Sequence, residues 1–511
     1  MASEQLEVER KFDVGPEFAV PDLTGLGEVA AVEGPVEHDL EAVYYDTADL
    51  RLIGSRITLR RRTGGTDEGW HLKLPADDGA RWERHSPLGR AVKRPPEAVI
   101  APVVGVLRGA LAGPVTTLRT RRLVTLLRDA DGRVLAEVAD DTVTATTPAP
   151  DPSTPVEVRS WREVEVELGS GDEALLAAVA ERLLAAGARP SESASKVGRA
   201  LAGRLAATPP AADVPQQGQS AGEVVVDALR AQVAALQTAD VMVRTDRPDA
   251  VHKLRVAARR LRSITAAVRP VLDRTATDPL REELRWLGRE LSKARDDEVA
   301  VAHLRDLVAA EPEELVLGPV AARLQQTALK AALEGQERAV ETLSTPRYLR
   351  MLDDLHSLLA EPPLIGPASG PAGGPLRKAV RKSGRRLRRR LESASGAVGV
   401  ERTAALHQVR KAAKRARYTG ELASDVLGRR AAKLVRAMEE VQDALGEGQD
   451  SAVTRQLCLS VGIAASAAGE NAWTYGRLHG LEQARADRAE RAFWELAPSL
   501  PRVLRRAAAK S

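Results

Sequence analysis

Glu7, Glu9 and Lys11 stand at alternate positions in LEVERKF, and Glu163, Glu165 and Glu167 do so in WREVEVEL. Residues two apart on a strand share a face, so the first run turns its charges one way and Leu6, Val8 and Phe12 the other. The same alternation sets Arg60 with Arg62, His71 with Lys73, Arg81 with Glu83, and Arg119 with Arg121. An ordinary sheet with one solvated face carries charges in this way. Repetition of both signs on strand after strand favours a sheet closed on itself, apolar face outward under helices and charges inside. In such a cavity Glu7, Glu9, Glu163 and Glu165, with either Asp140 or Asp141, offer hard oxygens suited to Mg²⁺ or Mn²⁺, and no soft ligands argue for zinc. Arg60, Arg62, Lys73, Arg119 and Arg121, with Arg133 and Lys196, would clamp a polyanion's oxygens. Metal beside Arg implies phosphate. Phosphoryl transfer needs charge neutralisation and positioning more than covalent help, so hydrolysis is the expected reaction.

A second set of reactive types is written twice. HKLRVAARRLRS at 252–263 and HQVRKAAKRARY at 407–418 each begin with a histidine. His252, Arg255, Arg259 and Arg262 follow a spacing that a helix gathers on one face, and His407, Arg410, Lys414 and Arg417 repeat it. Leu254, Ala258 and Leu261, and Val409, Ala413 and Ala416, form the neighbouring apolar stripe. A basic helix face is ordinarily a solvated one. Two copies, with RKAVRKSGRRLRRR at 377–390 beside them, imply a flexible polyanion, because like charges one turn apart disfavour a helix unless an anion compensates. Nucleic-acid modules interleave aromatics, and these stretches offer mainly Tyr418; a membrane would need bulky apolar residues where Ala dominates. Inorganic polyphosphate fits rows of Arg and Lys.

These residues need two kinds of element to position them. To about 168 the chain shows short alternating runs separated by Gly, Pro and Asp, as in antiparallel strands, and 172–190 then reads as a helix. LAATPPAADVPQQGQSAG at 205–222 is the expected linker, and from 223 the spacing is helical throughout, interrupted by EPPLIGPASGPAGGP at 361–375. LSKARDD at 291–297 and LGEGQDS at 445–451 extend the repeat beyond one helix. The expected fold is therefore multidomain: an N-terminal α+β domain at 1–204 and an all-α domain at 223–505, made of two duplicated bundles near 223–360 and 376–505. With 43% hydrophobic and 29% charged residues the chain is neither disordered nor rich in membrane-length apolar runs. The acidic start and a single cysteine, Cys458, lead to an expectation of a cytoplasmic protein, and the polyphosphate reading extends it to association with polyphosphate granules.

EVERK at 7–11 resembles the ExExK signature of the CYTH, or triphosphate tunnel metalloenzyme, superfamily, and the resemblance continues through TLRRR, HLKLP, RWER, TLRTRR, VADDTV, EVEVELGSG and the SK at 195–196. It implies an eight-stranded antiparallel tunnel and metal-dependent attack on a triphosphate. Glu7, Glu9, Glu163 and Glu165 would hold metal with Asp141 as the favoured fifth ligand, Lys11 would sit near the reacting phosphate or water, and the Arg and Lys set would bind the phosphates. Relatives of this kind cleave inorganic or thiamine triphosphate or cyclise ATP. Scarce aromatics point to inorganic triphosphate. The motifs HxxRxxxRRxR at 252–262 and HxxRKxxKRxR at 407–417 resemble the CHAD, or conserved histidine α-helical, domain. That adds Arg260, Lys411 and Arg415 to the implied polyphosphate-binding set. Val256 stands where the second copy has Lys411, so unequal sites are expected.

Overall fold

The computed structural model describes residues 3–76, 80–89, 94–149, 155–206, 220–293 and 296–509. The chain divides into two compact units, residues 1–210 and 211–511. Most of the expected linker, 207–219, lies outside the described residues, as does part of the acidic echo at 291–297.

In the first unit the strands are β1 (Ser3–Glu7), β2 (Glu9–Asp13), β3 (Ala31–Asp46), β4 (Thr58–Thr63), β5 (Gly69–Pro75), β6 (Arg81–Ser86), β7 (Gly113–Arg128), β8 (Val134–Thr147), β9 (Glu157–Leu168) and β10 (Arg189–Pro190). They form one sheet in the order β1-β6-β5-β4-β3-β7-β8-β9-β2-β10. β1 pairs antiparallel with β6 and β2 antiparallel with β9. Because β1 and β2 are one stretch of chain broken at Val8, the two sides of the sheet meet along residues 3–13 and the sheet closes. The expected eight strands are thus ten among the described residues. One extra comes from the break, where the chain changes partner, and one from the two-residue β10.

The outward face is apolar. Phe12, Leu127, Val138, Val164 and Val166 pack under helix α1 (Glu173–Ala185), which contributes Leu175, Leu176, Val179 and Leu183. Asp172 caps this helix by accepting from the Leu175 N–H at 2.9 Å. A short helix, Lys196–Ala200, delivers Val197 and Ala200 onto Ala42, Tyr44, Leu118, Val143 and Ala145, all at inward-facing positions, and so plugs one end of the interior.

The second unit is helical: α2 (Ala221–Arg244), α3 (Ala250–Ala267), α4 (Arg274–Lys293), α5 (Asp296–Ala310), α6 (Val320–Ser344), α7 (Pro346–Ala360), α8 (Gly373–Ser395), α9 (Gly399–Leu422), α10 (Arg429–Ala467), α11 (Trp473–Leu496) and α12 (Leu500–Ala507). The apolar stripes beside the two basic phrases are buried: Leu254, Ala258 and Leu261 on α3, and Val409, Ala413 and Ala416 on α9. Among the described residues no helix is long and apolar enough to cross a membrane.

Candidate functional site: a charged tunnel and a basic helical seam

The closed sheet surrounds a cavity of about 650 Å³, lined by Glu7, Glu9, Lys11, Arg60, Arg62, Lys73, Glu83, Arg122, Glu165 and Lys196 among others. Antiparallel register explains the convergence. Lys11 lies opposite Glu165 across β2 and β9, and Asp141 lies opposite Glu163 across β8 and β9. Lys11 Nζ is 3.1 Å from Glu9 and also pairs with Glu165. Lys73 donates to Glu7 at 2.5 Å. Lys196, delivered by the plugging helix, reaches Glu165 at 2.6 Å, Glu163 at 2.8 Å and Asp141 at 3.0 Å. Arg122 grips Asp141 with two hydrogen bonds of 2.8 and 2.7 Å and reaches Glu165 at 3.0 Å.

Burial alone would raise the Glu165 carboxyl, but Lys11, Lys196 and Arg122 outweigh it and hold it well below the usual carboxylate range. Glu9 is likewise held down by Lys11 against its burial. Glu7 goes the other way, pushed up to about 8 by burial and by its hydrogen bond with Glu83. The buried ring of His71 bridges Glu83 and the β4–β5 turn, with Nδ1 2.7 Å from Glu83 and Nε2 2.9 Å from the Asp67 carbonyl, and burial pulls it down to about 4. Arg62 is pulled down by burial and by Arg60 and Arg122 beside it.

Several expected residues sit elsewhere. Arg119 and Arg121 are on the outer face, 79% and 56% exposed at the side chain, paired with Glu41 at 3.0 Å and Glu37 at 2.7 Å. β7 presents its even-numbered positions inward, so Arg122, opposite His38 and Asp141, takes the place expected of them. Arg133 lies on the β7–β8 hairpin, its Nε 2.7 Å from Asp129, outside the cavity. Of the five carboxylates expected to hold metal, Glu7, Glu9 and Glu165 line the cavity, whereas Asp141 and Glu163 are buried behind Lys196. Their all-oxygen chemistry fits a hard divalent cation. Among the described residues no three His, Cys, Asp or Glu side chains are already grouped to hold one, because lysines occupy the carboxylates. A cation bound there would exchange places with lysine.

In the helical unit α3 and α9 bring the repeated phrases together. Arg259 donates to the Tyr418 hydroxyl at 3.2 Å and Arg255 to Ser292 at 3.3 Å. Lys414 is pulled down to about 7 by burial and by Arg259 and Arg410. Arg410 Nε and His407 Nδ1 are buried without a hydrogen-bond partner among the described residues. Burial and Lys411 also lower His407. The equivalent His252 is exposed, as is Lys411. Arg415 is lowered to about 10 by burial and by Arg386, Arg281, Arg269 and Arg262. Arg260 and Arg417 are already engaged, both reaching Glu421, at 3.4 and 2.8 Å.

A closed antiparallel sheet with acids facing cations inside, followed by an all-helical unit with a basic seam, defines a triphosphate tunnel protein with a helical partner domain. The CYTH domain model matches residues 5–200, and the CHAD domain model matches residues 227–459. The chain belongs to the CYTH–CHAD family, and its first unit to the triphosphate tunnel metalloenzymes, which are generally dependent on divalent metal. It is 36% identical over 510 residues to the uncharacterized protein MT2285 of Mycobacterium tuberculosis, covering 98% of this chain and 96% of that one. Solved structures that are similar include PptA from Streptomyces chartreusis (20% identity, 54% of this chain, 99% of that one, TM-score 0.44). Another is the CHAD domain from the plant Ricinus communis (23% identity, 57% of this chain, 94% of that one, TM-score 0.43).

Proposed function

We propose that the first unit hydrolyses inorganic triphosphate and that the second binds inorganic polyphosphate. The observation that carries the hydrolase reading is the cavity itself: Arg60, Arg62, Arg122, Lys73 and Lys196 converge on one space with Glu7, Glu9 and Glu165. Cations of this density suit a chain of phosphates. Mg²⁺ or Mn²⁺, held by Glu7, Glu9 and Glu165, would supply charge neutralisation at the phosphate oxygens. Arg60, Arg62 and Arg122 then orient the phosphate chain, and Lys11, fixed between Glu9 and Glu165, donates to the oxygens of the terminal phosphate. Water attacks that phosphorus as the bridging P–O bond breaks, releasing phosphate and pyrophosphate. Inorganic triphosphate is favoured over thiamine triphosphate or ATP because Tyr44 is the one Phe, Tyr or Trp among the described lining residues, and Trp70 is fully buried in the wall. A ring-bearing substrate would lack a stacking partner.

The polyphosphate reading rests on α3 and α9 holding Arg255, Arg259, Arg410 and Lys414 close together, so that burial and the neighbouring arginines pull Lys414 down despite Asp450 nearby. The two phrases are copies from a duplication and line one seam. A cytoplasmic protein that docks on polyphosphate granules fits this pair of functions.

The test is phosphate release from inorganic triphosphate, ATP and thiamine triphosphate with Mg²⁺, Mn²⁺ or EDTA, on protein that retains polyphosphate. Fast, EDTA-sensitive release from inorganic triphosphate is expected. Retention without turnover on any substrate would overturn the hydrolase reading and make the tunnel a sensor. Loss of retention in a His252→Ala, His407→Ala double variant, with turnover intact, is the matching expectation for the seam.

A further inference from the structure

Lys11, Lys73, Lys196 and Arg122 take their carboxylates from strand positions, which cannot swing away. Arg62 is different. Its carboxylate partner is Asp67, on the β4–β5 turn. That turn lies away from the plugged end: Gly64 packs on the Asp39 backbone and Gly65 against Leu40, nearer the start of β3 than the Ala42 and Tyr44 of the plug. Gly65, Thr66 and Asp67 line the cavity there. The turn is latched by polar contacts, His71 Nε2 standing 2.9 Å from the Asp67 carbonyl and the Gly64 N–H donating to Glu68 at 2.6 Å. Both Gly64 and Gly65 have positive φ, 82° and 81°, so the fold of the turn depends on them.

Two properties make Asp67 detachable. Its side chain is 50% exposed while that of Arg62 is 8% exposed, so the carboxylate can return to water but the guanidinium cannot. Arg62 also presses against Arg60 and Arg122, so it needs an anion at all times. A phosphate entering from the open side meets Asp67 on the cation it seeks, and any further phosphate beyond Arg62 must pass the same negative charge.

Resting on the triphosphate reading above, we propose that Asp67 is a built-in counter-anion that occupies Arg62 in the empty tunnel and limits the phosphate chain to short substrates. It is a positioning residue that acts through Arg62. Asp67→Asn should tighten inorganic triphosphate about fivefold, the ratio that about 1 kcal/mol from a partly exposed pair represents. Titration calorimetry in EDTA reads this without turnover. In Mg²⁺, the same variant should raise kcat/KM for tetraphosphate and longer chains relative to triphosphate, mostly through KM. Asp67→Glu should restore the native affinity and length preference. Glu68→Gln, which removes a carboxylate charge from the same turn without touching Arg62, should leave both unchanged. Equal affinity in Asp67→Asn and the native protein, or equal tightening by Glu68→Gln, overturns the proposal. Tightening by Asp67→Asn in a protein that turns over no triphosphate would sink the hydrolase reading and leave the counter-anion standing.

Discussion

Both units collect cations, but they treat them differently. In the tunnel the buried Lys and Arg side chains face carboxylates within the same unit, and Lys196 alone serves three. Along the helical seam Lys414 faces Arg259, Arg410 and Arg255 with Asp450 as its counter-charge, Arg410 faces Arg259 with Asp450 and Asp443 nearby, and Arg415 faces four other arginines. The tunnel carries its counter-charges with it, so it is a stable polar network before any ligand arrives. The seam supplies only part of that role itself, through Asp450 and Asp443. On the functions proposed above, the difference separates a site that would act on a small anion and let it go from one that would hold a long one.

Removing a cation should therefore have opposite effects in the two places. Lys196→Met removes the one cation that Asp141, Glu163 and Glu165 share and should destabilise the first unit by about 3–5 kcal/mol, read from urea unfolding. An unchanged midpoint would break the contrast. Glu9→Ala should lower metal-dependent phosphate release at least about 100-fold while sparing polyphosphate retention. Arg415→Met should be neutral or stabilising by about 1 kcal/mol in the second unit and should weaken polyphosphate retention; clear destabilisation would show that Arg415 has a partner in the fold. The smallest effect sharpens the comparison through pH. The folded state binds the Lys414 proton less tightly than the unfolded chain does, with a pKa of about 7 against 10.5. Between those values the unfolded state holds more protons, so the stability of the second unit should rise with pH across that window. Polyphosphate, which favours the charged form, should bind with proton uptake near pH 7 and weaken above it. Lys414→Met should flatten both trends.

Most of the tunnel's residues were legible in the sequence because alternation on a strand is a strict period. Glu7, Glu9, Lys11, Arg60, Arg62, Lys73, Glu165 and Lys196 all reach the cavity. β7 shows where the period runs out. LRTRR at 118–122 offers arginine at both parities, and only the pairing with β8 selects Arg122. Counting back from the Asp129–Arg133 hairpin turn, which sets Leu127 against Ala136, would have placed Arg122 opposite Asp141. β3 was unreadable as a strand because residues 31–41, AVEGPVEHDLE, are largely exposed on both faces and show no apolar alternation. Asp67 and His71 act through a turn and a second layer, for which a single sequence has no period. In the helical unit the repeated spacing revealed the faces, but not that Glu421 already engages Arg260 and Arg417, since that contact depends on how α3 crosses α9.

The break at Val8 bears on how the first unit comes to exist. Residues 9–13 pair with residues 163–167, and Lys11 and Glu165 are 154 positions apart. A ribosome must finish β9 before β2 has a neighbour on that side, so the ring can close only late, after every hairpin from β3 to β9 is available. Long-range pairings of this kind slow folding. Until closure the apolar edge of β9 and the cations of the half-made interior stand open to solvent, and the first unit should pass through a long-lived open sheet that a chaperone or a phosphate-rich solute can recognise.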